Sequence, residues 1–302
     1  MDEQEFEAYM KAGEIACKAL RYGLSMVREG AKLLEIANSI ESYIRSLGGE
    51  PAFPVNISIN EVAAHYTPPP GDESVVPPKA VVKVDIGVHI DGYIADTAAT
   101  VSLDPSLNDL LQSCFEALEN GLKIVAPGVK FAEFGKVVES VIKSRGYKPV
   151  YNLSGHSLDR YTIHAGDVIP NYRDIKCISR FRDGRAYALE PFATTGVGLV
   201  EDGPCVTIYA IRYNPKKLKG LSENARKFVE EVYGSRRSLP FSTRWYIDRY
   251  GSSLSEILNE LRRSKMLIEY PVLVERSRGV VAQFEHTIVI YRGRTYVTTA
   301  QC

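Results

Sequence analysis

Residues 19–48, ALRYGLSMVREGAKLLEIANSIESYIRSLG, align without a gap on residues 117–146, ALENGLKIVAPGVKFAEFGKVVESVIKSRG. The matches include Ala19/Ala117, Gly23/Gly121, Gly30/Gly128, Lys32/Lys130, Glu35/Glu133, Glu41/Glu139 and Gly48/Gly146. A chain that spells one supersecondary unit twice is expected to build that unit twice. Each copy carries apolar residues at helical spacing, breaks at a Gly, resumes, and ends at a Gly of the kind that closes a helix, which predicts a helix pair. After each pair comes a stretch richer in β-branched residues, turn residues and His. The expectation is two similar α+β halves facing each other across an internal pseudo-twofold, within one domain spanning residues 1–302.

The second half of each unit carries the chemistry. AVVKVDIGVHIDGYIADTAATVSL reads as two Val- and Ile-rich strands joined at Asp91-Gly92, a strong hairpin signal that sets Asp85 and Asp96 on neighbouring strands. Facing side chains on such a pair are roughly 5 Å apart, so two carboxylates there repel unless a cation lies between them. RAYALEPFA and VAQFEHTIVIYR are likewise strand-like, each with one Glu, Glu190 or Glu285, inside an apolar run. A carboxylate buried there without a partner is costly, which favours ligation. With His156 in LSGHSLD, the set is four carboxylates and one imidazole, enough to hold two divalent cations. Paired cations lower the pKa of water to about 7 and clamp an oxyanion from both sides, so hydrolysis is the first chemistry to expect.

These five residues, in this order and context, make the chain resemble the type II methionine aminopeptidases over almost its whole length, in the compact form typical of archaea. The resemblance implies the pita-bread α+β fold with internal pseudo-symmetry. It implies two divalent ions, Co, Mn, Fe or Zn, with Asp85 a bidentate ligand mainly to one, Asp96 and Glu285 bridging, and His156 and Glu190 completing the other's shell. It implies removal of N-terminal methionine from nascent proteins and peptides, a hydroxide shared by the metals attacking the first peptide carbonyl while Glu190 carries the proton to the leaving amine. His164 in YTIHAG is then a donor to the carbonyl oxygen, where developing charge needs donors besides the metals, and His65 in EVAAHYTPP a contact to the substrate backbone or departing amine. Phe53, Ile163, Phe192 and Tyr270 match positions that line the methionine pocket, although core packing reads equally well at each. His89 and His286 are expected to be structural, His286 pointing to the opposite face of its strand from Glu285.

The long interval between Glu190 and Glu285 is where type II departs from type I. SENARKFVEEVYG and SLSEILNELRRSKM are amphipathic, each with Ser at a plausible N-cap, so an inserted helical, winged-helix-like subdomain is expected at about 211–270. From Ile211 to Tyr270 there are 13 Lys and Arg against 7 Asp and Glu, which suits an acidic partner such as the ribosome or simply a solvated face. No helix there carries base-reading residues, which argues against DNA. Xaa-Pro aminopeptidases and prolidases share the metal set but carry an extra N-terminal domain, and related growth-associated proteins keep the fold as RNA- or protein-binding modules after losing ligands. The five intact ligands argue against that loss. Lys+Arg and Asp+Glu are both 37, so no global charge points to nucleic acid or a membrane. No run approaches the roughly 18 apolar residues of a spanning helix. The five cysteines lack paired spacing and read as free thiols. A cytoplasmic monomer is the expectation.

Overall fold

The first repeat copy folds as α1 (Glu3–Met26) and α2 (Leu33–Ser46), the second as α3 (Asn108–Leu122) and α4 (Phe131–Ser144), in a computed structural model that describes Met1–Ala300. Helix α1 opens on a capping box in which Asp2 Oδ1 accepts from Glu5 N at 2.9 Å and Glu5 Oε2 from Asp2 N at 2.8 Å. Gly30 and Gly128, in the turns between paired helices, have φ of 75° and 87°, and Gly48 and Gly146, past the second helices, have φ of 83° and 82°. That left-handed region is open to Gly at little steric cost, which is why the repeat keeps glycine there.

The symmetry runs past the sequence match. Leu33 N donates to Ser74 O and Phe131 N to Ser179 O, while Gly30 N donates to Val76 O and Gly128 N to Phe181 O. The helix loops keep one offset and their hydrogen-bond partners a slightly longer one. Each half therefore closes its helix pair onto the same strand-bearing segment.

The first half carries β1 (Glu50–Pro51), β2 (Asn56–Ile59), β3 (Val62–Ala64), β4 (Val81–Ile90) and β5 (Tyr93–Ser102). β4 is its spine, pairing antiparallel with β1, β2 and β5. The second half carries β6 (Lys148–Pro149), β7 (Ser154–Leu158), β8 (Val168–Pro170), β9 (Arg185–Leu189) and β10 (Phe192–Thr194). The chain continues through β11 (Val200–Ile211) and α5 (Pro215–Leu218), α6 (Glu223–Arg236), α7 (Ile247–Tyr250) and α8 (Ser253–Arg263). It closes with β12 (Leu267–Glu275), β13 (Val281–Gln283), β14 (His286–Tyr291) and β15 (Arg294–Val297). The sheets run β15-β14-β9-β7-β8, β13-β10-β6 and β11-β12-β3 beside the β4-centred one.

Helices α1 and α2 bury Ile15, Ile36, Ile40 and Ile44 against Val82, Val84 and Val88 of β4, and α3 and α4 bury Leu118, Phe131, Phe134 and Val138 on the second half. Residues 212–266 return to their starting point, because β11 and β12 pair from Val200/Glu275 to Ile211/Leu267. The helices between pack their own cluster of Phe228, Val232, Leu254, Ile257 and Leu261 onto Ile211. Ser222 caps α6 through its side chain, which accepts from Ala225 N, whereas α8 begins at Ser253 without a side-chain cap, contrary to the sequence expectation. Among the described residues no helix is long and apolar enough to cross a membrane. Cys114, Cys177 and Cys205 are free thiols; Cys17 is not, which corrects the reading of five free cysteines, and Cys302 lies outside the described residues.

Candidate active site and metal centre

Asp85 and Asp96 come from the β4–β5 hairpin, whose two-residue turn places Asp91 and Gly92 at φ of 50° and 90°, as the Asp-Gly signal requires. Asp85 pairs with Ala98 and Asp96 with Gly87, so the two carboxylates sit diagonally on one face. Opposite Asp96 only glycine fits, since a Cβ on Gly87 would come within 2.3 Å of the Phe53 ring.

Glu190 and Glu285 lie in joints rather than inside strands. β9 passes into β10 across Glu190-Pro191, and β13 into β14 across Phe284-Glu285. Leu189 faces His286 and Phe192 faces Gln283, so continuous register puts Glu190 opposite Glu285. Pro191 cannot donate to a ladder, and the ribbon changes sheets there. Glu285 also bridges to the other half: its N–H donates to Ala98 O at 2.9 Å, and Thr97 Oγ1 donates to Glu285 O at 2.8 Å. Thr287 Oγ1 accepts from Asp96 N at 2.7 Å and donates to Asp96 O at 2.8 Å. Hydroxyls thus staple the backbone of two of the carboxylates, a role the sequence reading did not assign to these threonines.

His156, on β7, completes the cluster. Ligand atoms of Asp96, His156 and Glu285 lie within 4.8 Å of one another, and His156 Nε2 is 3.4 Å from Glu190 Oε1 and 3.8 Å from Asp96 Oδ2. Asp96, His156 and Glu285 are only 4%, 8% and 2% exposed. Burial pushes the Asp85 carboxyl up to about 7. Burial first and neighbouring carboxylates second hold Asp96, Glu190 and Glu285 well above the usual carboxylate range. Burial, then the neighbouring His164, takes His156 down to about 3, so its imidazole is neutral and fit to ligate.

The residues fit a divalent-metal centre on their own account. Asp85 Oδ1, Asp96 Oδ1 and Glu285 Oε1 are buried without a hydrogen-bond partner, and no Lys or Arg is among the described residues lining the cleft. Four crowded carboxylates with no protein cation need protons or metal ions, and a mixed set of carboxylate oxygens with one imidazole nitrogen suits divalent ions such as Mn, Fe, Co or Zn. Gln283 Nε2 donates to Glu285 Oε2 at 3.2 Å and so orients one of them.

The cluster floors a cleft. Of the sequence-derived pocket residues, Phe53, Ile163 and Tyr270 line it together with His65 and His164. Phe192 does not. It is 1% exposed and packs with Ala63, Val150, Val200 and Val281 on the far side of the Glu190-Pro191 joint, so its place among the pocket residues is corrected to the core. His65 holds φ at 65°, a strained value for a non-glycine residue, and its Nδ1 donates to Pro271 O at 3.2 Å. A carbonyl only accepts, so Nδ1 carries the proton and Nε2 keeps its lone pair. Burial, with His164 second, lowers His65 to about 4. The His164 ring lies 4.5 Å from that of His156, edge to face, and 6.4 Å from Tyr270. His89 and His286 stay outside: His89 Nδ1 accepts from Gly92 N at 3.2 Å, and His286 Nδ1 meets Thr299 Oγ1 at 2.8 Å.

Asn56, Ala64, Ile208 and Pro240 line the cleft without having been picked out from sequence. Asn56 could have been, because it stands opposite Asp85 in the β2–β4 register.

The model of metallopeptidase family M24 matches residues 7–292 of this chain. The methionine aminopeptidase of Thermococcus onnurineus is 43% identical over 302 residues, covering 99% of this chain and 100% of its own. That of Methanocaldococcus jannaschii is 43% identical over 300 residues, with the same coverage. Among solved structures, a thermophilic Arx1 superposes with a TM-score of 0.86 at 18% identity, covering 99% of this chain and 91% of that one. The Thermotoga maritima methionine aminopeptidase superposes with a TM-score of 0.72 at 20% identity, covering 100% and 98%. The Pyrococcus furiosus prolidase, at 0.62 and 16%, covers all of this chain but is itself 65% covered, so the fold is the one these proteins share. With relatives matching end to end and a buried carboxylate–imidazole cluster of metal-binding character, the chain belongs to metallopeptidase family M24 and, within it, to the methionine aminopeptidases.

Proposed function

We propose that this enzyme removes the N-terminal methionine from peptides and nascent proteins, a reading carried by the juxtaposition of the carboxylate–imidazole cluster with a largely apolar cleft wall. Asp85, Asp96, His156, Glu190 and Glu285 would hold two divalent ions. Such ions lower the pKa of water and take up negative charge on a polarised carbonyl oxygen.

The chain's own groups do the rest. With two cations held there, a free α-amine would offer a lone pair to one of them that an internal amide nitrogen lacks, which favours a chain end over an internal peptide bond. The Phe53, Ile163 and Tyr270 side chains offer an apolar surface to a thioether side chain. His164, neutral because burial lowers its pKa, serves as an N–H donor to the scissile carbonyl oxygen. His65, with its proton fixed on Nδ1 by Pro271, presents an acceptor to a substrate N–H. Glu190 takes a proton from the attacking water and passes it to the departing amine.

Residues of about 211–270 act as an inserted helical subdomain within one catalytic domain, its surplus of 13 basic over 7 acidic residues suiting contact with the ribosome. The enzyme works as a cytoplasmic monomer.

The test is release of free methionine from Met-Ala-Ser by metal-stripped protein after Co or Mn is added back, beside an Ala-Pro dipeptide. Metal-dependent methionine release alone supports the proposal. Cleavage of Ala-Pro instead transfers it to the prolidase reading, and inactivity on both transfers it to a binding role on a retained scaffold.

A further inference from the structure

Arg236, the last residue of α6, is a cation 7% exposed that forms no ion pair among the described residues. Its hydrogen bonds all go to backbone carbonyls on two sides of the cleft. Nε and Nη2 donate to Pro240 O at 3.1 and 2.9 Å, and Nη2 also reaches Pro51 O at 2.8 Å and Ala52 O at 3.2 Å. Ala52 precedes Phe53, which forms one wall of the cleft, and Pro240 itself forms another. The guanidinium lies 4.5 Å over the Trp245 ring, and the Trp245 indole donates to Glu41 Oε2 at 2.7 Å. Glu41 Oε1 in turn accepts from Val55 N at 3.1 Å, two residues beyond Phe53. The helical segment and the first repeat half thus meet through two guanidiniums: Arg244, which pairs with Glu41 and donates to Thr67 Oγ1 at 2.8 Å, and Arg236, packed on the anchored indole, the one that reaches the backbone next to Phe53.

Taking a guanidinium out of water without a counter-charge is costly, and three carbonyls with an aromatic face are partial compensation. A cation in the last turn of α6 also suits the helix dipole, but a lysine would serve that equally well. What the position needs is a rigid fork, because one planar group with donors in fixed directions holds several carbonyls at a fixed spacing, as a lysine ammonium cannot.

We propose that Arg236 is a positioning residue for the pocket that receives the substrate's first side chain: by tying Pro240 to Pro51 and Ala52 it fixes the gap between the Pro240 and Phe53 walls. It thereby sets which first residues fit. This role rests on the reading of the cleft as the site of an N-terminal methionine.

The experiment compares wild type with Arg236→Met and Arg236→Lys. Steady-state turnover of Met-Ala-Ser and Leu-Ala-Ser is measured on metal-loaded protein, and amide hydrogen exchange on the metal-free proteins. For Arg236→Met, KM for Met-Ala-Ser rises about tenfold with kcat within about twofold, the pattern of lost binding rather than lost chemistry. The preference for Met over Leu shrinks, and exchange quickens at Ala52–Phe53 and Leu239–Phe241 while the segments around Asp96 and Glu285 stay protected. Arg236→Lys recovers only part of the preference. Unchanged exchange at both walls overturns the proposal, as does a Lys variant equal to wild type. So does a uniform loss on both peptides with the Met-to-Leu ratio intact, which is what a purely structural cross-link gives. Should Arg236→Met fail to fold, the Lys variant decides alone by the same ratio and exchange. A wild type inactive on Met-Ala-Ser sinks the methionine reading, and the exchange data still decide whether Arg236 fixes the walls.

Discussion

Asp96 and Glu285 are nearly sealed from solvent and have acceptor oxygens without donors, so each is far more useful to a cation than to the apo fold. Glu285→Gln keeps the shape and removes the charge. Manganese affinity measured by calorimetry should fall by at least the 10–100-fold typical even of outer-shell changes. His164→Ala, which removes one donor to a developing oxyanion, should lower kcat on Met-Ala-Ser by about 10²–10³-fold with the fold intact by circular dichroism. Near-normal turnover would mean that His164 is a wall and not a donor. The clustering of these five residues was legible in sequence only as a set: each carboxylate alone reads as a surface or paired residue, but four of them beside a His, in that order and context, do not. Phe192 was not legible: alternation places it on the same face as Glu190 only if the strand runs unbroken, and Pro191 breaks it. Asn56 was missed for a related reason, since its partner across the sheet, not its neighbours in sequence, puts it beside Asp85.

At the scale of elements, the repeat and the Asp-Gly hairpin were fully legible. The short strands were not, because two or three residues such as Glu50–Pro51 leave no periodicity to read. Their positions follow from the pairing that the longer strands impose. The repeat also predicts where substitution hurts. A Cβ on Gly121 would meet the Phe134 ring at 2.4 Å, while one on Gly23 would meet the end of Ile40 at 2.4 Å. Ile40 can change rotamer and a ring wedged between helices cannot, so Gly121→Ala should cost about 1–3 kcal/mol in urea unfolding and Gly23→Ala less. The hairpin carries a pH signature through His89, 7% exposed, whose Nδ1 accepts from Gly92 N and which burial, then the Arg236 charge, lowers to about 4. Its unfolded value is near 6.5, so between those values the unfolded chain binds more protons. The stabilisation is complete above pH 6.5 and is lost as pH falls toward 4. His89→Gln should flatten this limb by up to about 3 kcal/mol between pH 7 and 4.5, measured as the difference in unfolding free energy from wild type.

Over the whole molecule, the carboxylate–imidazole cluster proposed to hold the metals is the joint between halves: Asp85 and Asp96 come from the first, His156 and Glu190 from the second, and Glu285 bridges to Ala98. Filling it should therefore stabilise everything. At a manganese concentration a hundred times its dissociation constant the gain is about 2.7 kcal/mol, read as a rise in Tm by calorimetry. The metal-free chain should show the opposite slope with pH from that of His89. The site carboxyls have folded pKa values raised above their unfolded ones, about 7 for Asp85, so they favour folding at low pH. That contribution declines as pH climbs from about 4 through 7. Added manganese should abolish the decline. Sequence told of two halves and an intervening helical stretch, but not that Arg236 and Trp245 would lock that stretch onto the first half, because contacts between distant segments leave no local trace.

The same bridge at Glu285 has a temporal meaning. A chain emerging from the ribosome delivers Asp85, Asp96, His156 and Glu190 long before residue 285, so through most of its own synthesis it holds three carboxylates and an imidazole with no fifth member to finish the cluster. Competence arrives late and at once, when the strand at residues 281–291 docks beside the hairpin made some two hundred residues earlier. An interrupted translation product would carry four of the five cluster residues and lack the strand that brings the two halves together around them.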